Sequence, residues 1–307
     1  HEFYKYTYSY LSGQKTGFPF GGLYELAAAT TVVDTDSYSH NYSVESVLSR
    51  LSYDYADKYY FSASFRTDGS SRFYKDSRWG NFWSVGANWR ISQEEFMKNV
   101  RWVNNLSVKA SYGVQGNDRL LDSNGYDIYY AWQSFYSLSY PNNTMNGAAL
   151  SSLENKGLKW EKNGNLNVGV EGRLFDRVSF SVEWYQRKTS DMLMSFPMAT
   201  SLGFDGYNKN IGSMRNRGLD VSVATDIFQQ PNFGWRLTLM GSTVKNEVLQ
   251  LADKPEIING SYIIREGETI NSFYTATAAG VDPATGEQLY WVWDTDCLLY
   301  TSPSPRD

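Results

Sequence analysis

The chain has 307 residues, 41% of them hydrophobic and 16% aromatic (24 Tyr, 10 Trp), and a formal net charge of −5; its pI is near 5.2 and its mean hydropathy −0.49. The acidic balance excludes the basic stripe of a nucleic-acid binder, the lack of any apolar run of about 18 residues excludes a helical membrane span, and the single Cys297 excludes a disulfide framework or a cysteine metal site. An aromatic-rich yet hydrophilic chain suits a sheet with one thin apolar face and one polar face, the composition of a transmembrane β-barrel.

The chain starts His1-Glu2-Phe3, without Met or a signal peptide, and enters alternating Tyr4, Tyr6 and Tyr8 at once, so it is expected to be a fragment that begins inside a strand. That strand is expected to end at Tyr10, with a Gly-, Ser- and Thr-rich loop from Leu11 to Ser43. Val44 to Tyr55 then descend, Ala56-Asp57 turn, and Tyr59 to Arg66 rise. Leu51, Tyr53, Tyr55, Tyr59, Phe61, Ala63 and Phe65 fall on one face, with Ser52, Asp54, Tyr60, Ser62, Ser64 and Arg66 on the other. After a polar loop at 67–81, Trp83 to Arg90 descend. The stretch ISQEEFMKNVRW carries a helix signal of one or two turns: Ser92 as N-cap, Glu95 completing a capping box, Ile91 and Phe96 as a staple.

Leu106 to Tyr112 rise, and a long polar and aromatic stretch runs from Gly113 to Gly157; within it YDIYYAWQSFYSL is expected as a strand beyond the barrel rim. Leu166 to Leu174 descend, Phe175-Asp176-Arg177 turn, and Val178 to Trp184 rise. A loop at 189–214 leads to Leu219–Ile227, a turn at Gln229-Gln230-Pro231-Asn232, and a rising strand with Trp235, Leu237 and Leu239. The remainder to Asp296 reads as loop with short strand candidates such as Ser261–Arg265. The last eleven residues, 297–307 (CLLYTSPSPRD), lose all alternation and read as a non-native tail, which leaves 1–296 as one partial barrel domain.

Short turns near 56, 175 and 230 and a compact one near 95 alternate with long loops at 11–43, 67–81, 113–157 and 189–214. An up-and-down meander with short periplasmic turns and long extracellular loops is the layout of an outer-membrane barrel. A soluble carbohydrate-binding β-sandwich also alternates, but its Greek-key connections do not sort short and long so regularly, and long structureless loops count against a compact soluble domain.

RLSYDYADKYYFSASFRTDGSSRF, RWGNFWSVGANWRISQEEFMK, NNLSVKASYGVQGN, LKWEKNGNLNVGVEGRLFDRVSFSVEWYQRKTSDML, NIGSMRNRGLDV and GVDPATGEQLYW follow one another over residues 50–293. In that order they resemble segments of SusC/RagA-like TonB-dependent outer-membrane transporters. The resemblance implies an all-β fold, a partial antiparallel transmembrane β-barrel formed by the later strands of a 22-stranded barrel; plug, TonB box and closing strands have no counterpart here. It further implies active import of a large nutrient, an oligosaccharide foremost or a peptide, across the outer membrane of a Gram-negative bacterium. A SusD-like surface lipoprotein, the TonB complex and outer-membrane lipid are the implied partners. A passive porin is the alternative within the same architecture.

Catalysis finds little support. His1 and His40 have no carboxylate or cysteine company at ligand spacing, no G-x-S-x-G elbow occurs, and no cofactor is implied. Glu94-Glu95 reads as helix capping. Asp34-Thr35-Asp36 and Asp68-Gly69-Ser70-Ser71 approach calcium loops but lack the terminal Glu, so turn chemistry is favoured. Tyr126, Tyr129, Tyr130, Trp132, Phe135, Tyr136 and Tyr140 crowd one loop. Of these, Tyr129, Tyr130, Trp132 and Tyr136 are the candidate substrate-binding residues, set against the plainer reading of a rim strand packed on neighbouring loops or a lipoprotein lid. Trp83, Trp89, Trp184 and Trp235 are expected near strand ends as girdle residues. Arg66, Arg90, Lys109, Glu171, Arg173, Glu183 and Asp220 are expected to face the lumen, where charge costs little.

Overall fold

In a computed structural model, the structure describes residues 1–22, 25–122, 124–142, 145–198, 201, 206–251 and 255–291. The strands are, in chain order, β1 (Glu2–Thr16), β2 (Thr31–Tyr55), β3 (Tyr59–Ser70), β4 (Trp79–Arg90), β5 (Val103–Asn117), β6 (Phe135–Asn142), β7 (Met145–Ser152), β8 (Glu161–Leu174), β9 (Val178–Ser190), β10 (Leu193–Pro197), β11 (Gly206–Asn210), β12 (Ser213–Gln230), β13 (Phe233–Gln250), β14 (Glu256–Asn259), β15 (Tyr262–Arg265), β16 (Ser272–Phe273), β17 (Thr277–Val281) and β18 (Gln288–Trp291). Nine of them form one antiparallel sheet in the order β1-β2-β3-β4-β5-β8-β9-β12-β13. Every neighbour in that sheet is the next wall strand along the chain, so the wall is a pure meander. Among the described residues β1 and β13 each pair on one side only, and the wall is an open arc of a barrel.

The pairing confirms the alternation. Ser52↔Ser62, Ser62↔Gly86 and Gly86↔Ser111 lie in one cross-strand row, and Tyr53↔Phe61, Phe61↔Ala87 and Ala87↔Ala110 in the next. The first set lines the concave polar face. The second belongs to an outward band of exposed apolar residues that includes Leu51, Phe61, Val85, Val168, Val182 and Val223. Exposed apolar side chains on this scale are costly in water and suited to lipid.

Two of the short turns are built alike. Ala56 and Asp57 have φ of 53° and 55°, Phe175 and Asp176 have 54° and 55°, and Lys58 and Arg177 each donate a backbone N–H to the residue three before, at 3.0 Å. Such left-handed pairs match the twist of a hairpin, though Ala and Phe adopt them at a steric cost. The loop end is different. Over β3–β5, Phe73, Phe82, Leu120, Ala131, Leu158 and Trp160 form a buried cluster. Over the ends of β12 and β13, Ile211, Val248, Leu251, Ile257 and Ile264 form another. Each fully buried Phe or Leu contributes roughly 1.5–3 kcal/mol, so the loops are anchored to the wall by small cores of their own.

Several sequence expectations need correction. The expected loop at 11–43 is mostly strand: β1 runs to Thr16 and β2 begins at Thr31, paired through Leu11↔Ser37 and Gly13↔Thr35. Beyond the membrane both faces of a strand meet water or loops, so the ladder continues without the apolar alternation that marked it below. Asp34 and Asp36 accordingly lie in extended β2 and not in a turn. The loop at 67–81 shrinks to 71–78, and Gln229 and Gln230 end β12, leaving Pro231-Asn232 as the turn. In place of a capped helix stand two 3₁₀ turns, Ile91–Gln93 and Glu95–Met97, with no side-chain cap bond at either. The Ser92 hydroxyl donates to Asn105 and Glu95 pairs with Lys98. Tyr126–Trp132 is bridge and turn, with strand resuming only at Phe135. Trp89 and Trp235 do sit at strand ends, but Trp83 and Trp184 stand well inside β4 and β9. The tail at 297–307 lies outside the described residues.

Candidate functional site

At the turn end the wall is closed by polar clamps. Glu94, between the two 3₁₀ turns, accepts hydrogen bonds from the Tyr59 hydroxyl (2.6 Å), Lys58 Nζ (3.1 Å) and Trp89 Nε1 (3.1 Å). These donors, with the Tyr59 hydroxyl first, hold its carboxyl down to about 2. Asp57 accepts from Arg90 at 2.8 Å and from the Tyr60 hydroxyl. The equivalent Asp176 exchanges hydrogen bonds with Asn104, the residue skipped at the register shift between Val103 and Asn105 in β5's pairing with β8.

The seven charged residues expected in the lumen share the face of Ser62 and Ser84 by register. Lys109 pairs with Glu183 at 2.8 Å and with Glu171 at 3.6 Å; Arg66 pairs with Asp68 and Glu2; Arg173 approaches Asp226. Serines, asparagines and glycines floor the space between these charges. Two hollows of about 540 and 630 Å³ share Ser62, Gly86, Ser111 and Asn167, and together run from Asp54 near the turns to Tyr42 and Asp68 near the loops. The result is a continuous polar track along the inner wall.

Where that track meets the loops, the candidate aromatics take separate positions. Tyr129 stacks on Tyr6 of β1 and packs against His40 and Tyr42 of β2. The Tyr130 hydroxyl accepts the Asn41 backbone N–H at 2.7 Å, and its ring meets Phe135. Trp132 packs against Tyr74, 5.3 Å between centroids, while Tyr136 is exposed. Tyr129 and Tyr130 thus share one cluster, Trp132 belongs to a second, and no contact joins Tyr136 to either among the described residues. Tyr140 is placed in β6 by its backbone register only.

At the centre of the first cluster is a residue the sequence reading passed over. Arg72 is 6% exposed, and its guanidinium lies over the Tyr42 ring at 4.6 Å and the Tyr129 ring at 4.8 Å. Asp127 at 3.3 Å and Asp118 at 3.8 Å balance its charge, and Asp118 also accepts from the Tyr42 and Ser70 hydroxyls. Arg119, then Arg72, holds the Asp127 carboxyl below the usual carboxylate range. The signal available in sequence was Tyr at every second position from Tyr4 to Tyr10, answered by Tyr38, His40 and Tyr42 on β2. Among the described residues no group of three His, Cys, Asp or Glu has the geometry of a metal site.

An open arc of up-and-down strands with a lipid-suited exterior, a polar inner track, tight turns at one end and folded loops at the other defines part of an outer-membrane β-barrel. The comparisons with known proteins carry this further. Residues 2–294 match the family model of the TonB-dependent receptor-like β-barrel, and the chain belongs to that family. Over 248 residues it is 37% identical to TonB-dependent receptor P39 of Formosa agariphila, covering 80% of this chain and 23% of that protein. It is 30% identical over 238 residues to the TonB-dependent receptor SusC of Bacteroides thetaiotaomicron, covering 76% of this chain and 23% of that one. Among solved structures, a chain of the RagAB peptide transporter superposes with a TM-score of 0.84 at 28% identity, over 94% of this chain and 32% of that chain. The RagAB peptide importer in its open-open state gives 0.82 over 99% of this chain. The chain is therefore SusC/RagA-like, and it spans about a quarter of the length of these curated relatives.

Proposed function

We propose that this chain forms the later wall of a TonB-dependent importer that carries a nutrient too large for porins, an oligosaccharide or a peptide, across the outer membrane of a Gram-negative bacterium. Residues 1–296 are read as barrel, and 297–307 as a tail foreign to it. The observation that carries the reading is the polar track on the concave face, which leads from the folded loops toward the periplasmic turns and is floored by small polar residues. A SusD-like lipoprotein over the loops, a plug inside the wall and the TonB complex beneath it complete the proposed machine; support for them comes from SusC and from RagAB. Tyr129, Tyr130, Trp132 and Tyr136 remain proposed vestibule residues, with Tyr136 the freest to meet a ligand.

The test is accumulation of labelled oligosaccharides and peptides by cells that express the complete transporter, with and without TonB. Loss of accumulation when TonB is removed supports the reading. Accumulation that continues unchanged would make the barrel a passive pore.

A further inference from the structure

Above the level of Val44 the two faces of the wall change character. On the β1–β2 pair, Tyr4, Tyr6, Tyr8, Tyr10, Tyr38, His40 and Tyr42 all fall on the face that carries Ser62 and Arg66 lower down, while Lys5, Thr7, Ser9, Ser39 and Asn41 face outward. Below, most rings, such as Tyr53, Phe61 and Phe65, point to lipid; here they point inward. At the base of this ladder the molecule shows what such a surface holds, since the Arg72 guanidinium lies on Tyr42 and Tyr129 with two aspartates beside it.

A second group of rings stands higher up, where the His40 imidazole packs against Tyr8 and Tyr38. Tyr10 and Tyr38 stack at 4.9 Å and 28°, Tyr8 lies 6.0 Å from Tyr38, and all three rings stay more than a third exposed. Asp36 follows Tyr38 two positions along on the same face, and Asp34 follows it. Among the described residues no basic side chain pairs with either aspartate. Ring faces attract a cation most when a carboxylate helps to desolvate it, and a planar guanidinium suits both partners.

We propose that Tyr8, Tyr10, Tyr38 and Asp36 form a subsite for an arginine side chain of a peptide substrate, by the same ring and carboxylate chemistry that holds Arg72. The inference rests on the import reading and narrows it to peptides that carry a guanidinium. Asp36 and Asp34 disfavour an anionic glycan on this face and supply the complement for a basic group.

The test uses the complete transporter in detergent, with no energy source. Its probes are a twelve-residue peptide holding two arginines, the same peptide with citrulline in their place, and a neutral glucan heptasaccharide. The arginine peptide is expected to bind about tenfold tighter than the citrulline peptide, a cation–π and charge effect. In Tyr10→Leu/Tyr38→Leu and in Asp36→Asn that preference should shrink toward parity, while the folded barrel band in unheated SDS gels is unchanged. Equal binding of the two peptides to the parent protein, a preference that survives both variants, or heptasaccharide binding that the variants weaken would overturn the subsite. Uptake separates the two readings: arginine preference in detergent alongside TonB-independent uptake sinks the importer and spares the subsite, and TonB-dependent uptake without preference does the reverse.

Discussion

Lys109 Nζ lies 2.8 Å from Glu183 Oε2 although β8 runs between their strands. The residue beneath the pair is Gly169, which faces Lys109 on one side and Glu183 on the other. A Cβ there would stand 3.0 Å from Lys109 Cε and 3.2 Å from the Val182 carbonyl oxygen. The contact across two strand spacings therefore depends on a missing side chain. Both groups are roughly a third exposed, so the pair itself is worth at most about 1 kcal/mol. Gly169→Val should cost more, about 1–3 kcal/mol, because it crowds the lysine stem and the backbone as well. The temperature at which the complete barrel loses its folded gel mobility should fall for Gly169→Val and barely move for Glu183→Gln. Equal small shifts would mean the wall absorbs the extra methyls freely.

Glu94 predicts a pH signature at the periplasmic end. Its carboxyl is held at about 2 against 4.5 for the free group. A depressed carboxyl stabilises the fold fully above the unfolded value, and that contribution is lost as pH falls from about 4.5 through about 2. The 91–102 turn should therefore loosen across that acid window and not near neutrality. Protection factors of the amides at 95–103, taken against the intrinsic exchange rate at each pH, should fall on acidification in the parent. Glu94→Gln should exchange faster at neutral pH and show a flatter response to acid. A parent protein whose turn stays equally protected from pH 5 to about 2 would contradict the assignment of Glu94 as its anchor.

The two faces of the wall make opposite predictions for one substitution. Val182 faces outward between Val170 and Val221, and Ser181 faces inward between Glu171 and Ser222. Val182→Arg should destabilise the folded barrel by about 2–4 kcal/mol if it lies near mid-bilayer, and Ser181→Arg, in a wet lumen beside acids, by much less. Folding yield into phospholipid vesicles across a urea series measures both. Similar losses for the two variants would argue that the Val182 face is not in lipid.

How much of this was legible depended on where water lies. Between the turns and about Phe65, lipid on one side and lumen on the other force period-two alternation, and the strands and the turns at Asp57 and Asp176 could be read directly. Above that height no lipid enforces an apolar outer face, and past Tyr10 the alternation fades. Backbone pairing such as Leu11↔Ser37 persists while the sequence turns Gly- and Ser-rich, so residues 11–43 read as loop. The helix signal at Ser92 failed for another reason. Glu94, one residue from the expected capping glutamate, has three donors waiting on β3, β4 and the turn before β3, and that tertiary anchor outweighs a local cap. The aromatic loop was located from composition, but its central partner was not. Arg72 is an ordinary residue in sequence, and only the fold brings it between Tyr42 and Tyr129, residues far apart along the chain.

That position gives the last prediction. Arg72 ties the end of β3 to the 118–132 loop through two aspartates and the Tyr129 ring, and to β2 through the Tyr42 ring, nearly without solvent. Removing one partner of a buried charge cluster leaves the other charges uncompensated, at a cost of roughly 3–5 kcal/mol. Arg72→Gln should spend that cost locally, by releasing the loop, because the wall strands below are held by their own ladders. Limited proteolysis of the complete protein should then cut between Asp118 and Tyr136, where the parent resists, while the folded gel mobility of the barrel stays the same. Arg72→Lys should restore protection only in part, since an ammonium keeps the charge but not the flat double stack. Full protection in Arg72→Gln would show that Phe73, Leu120 and Leu158 hold the loop without help from the cation.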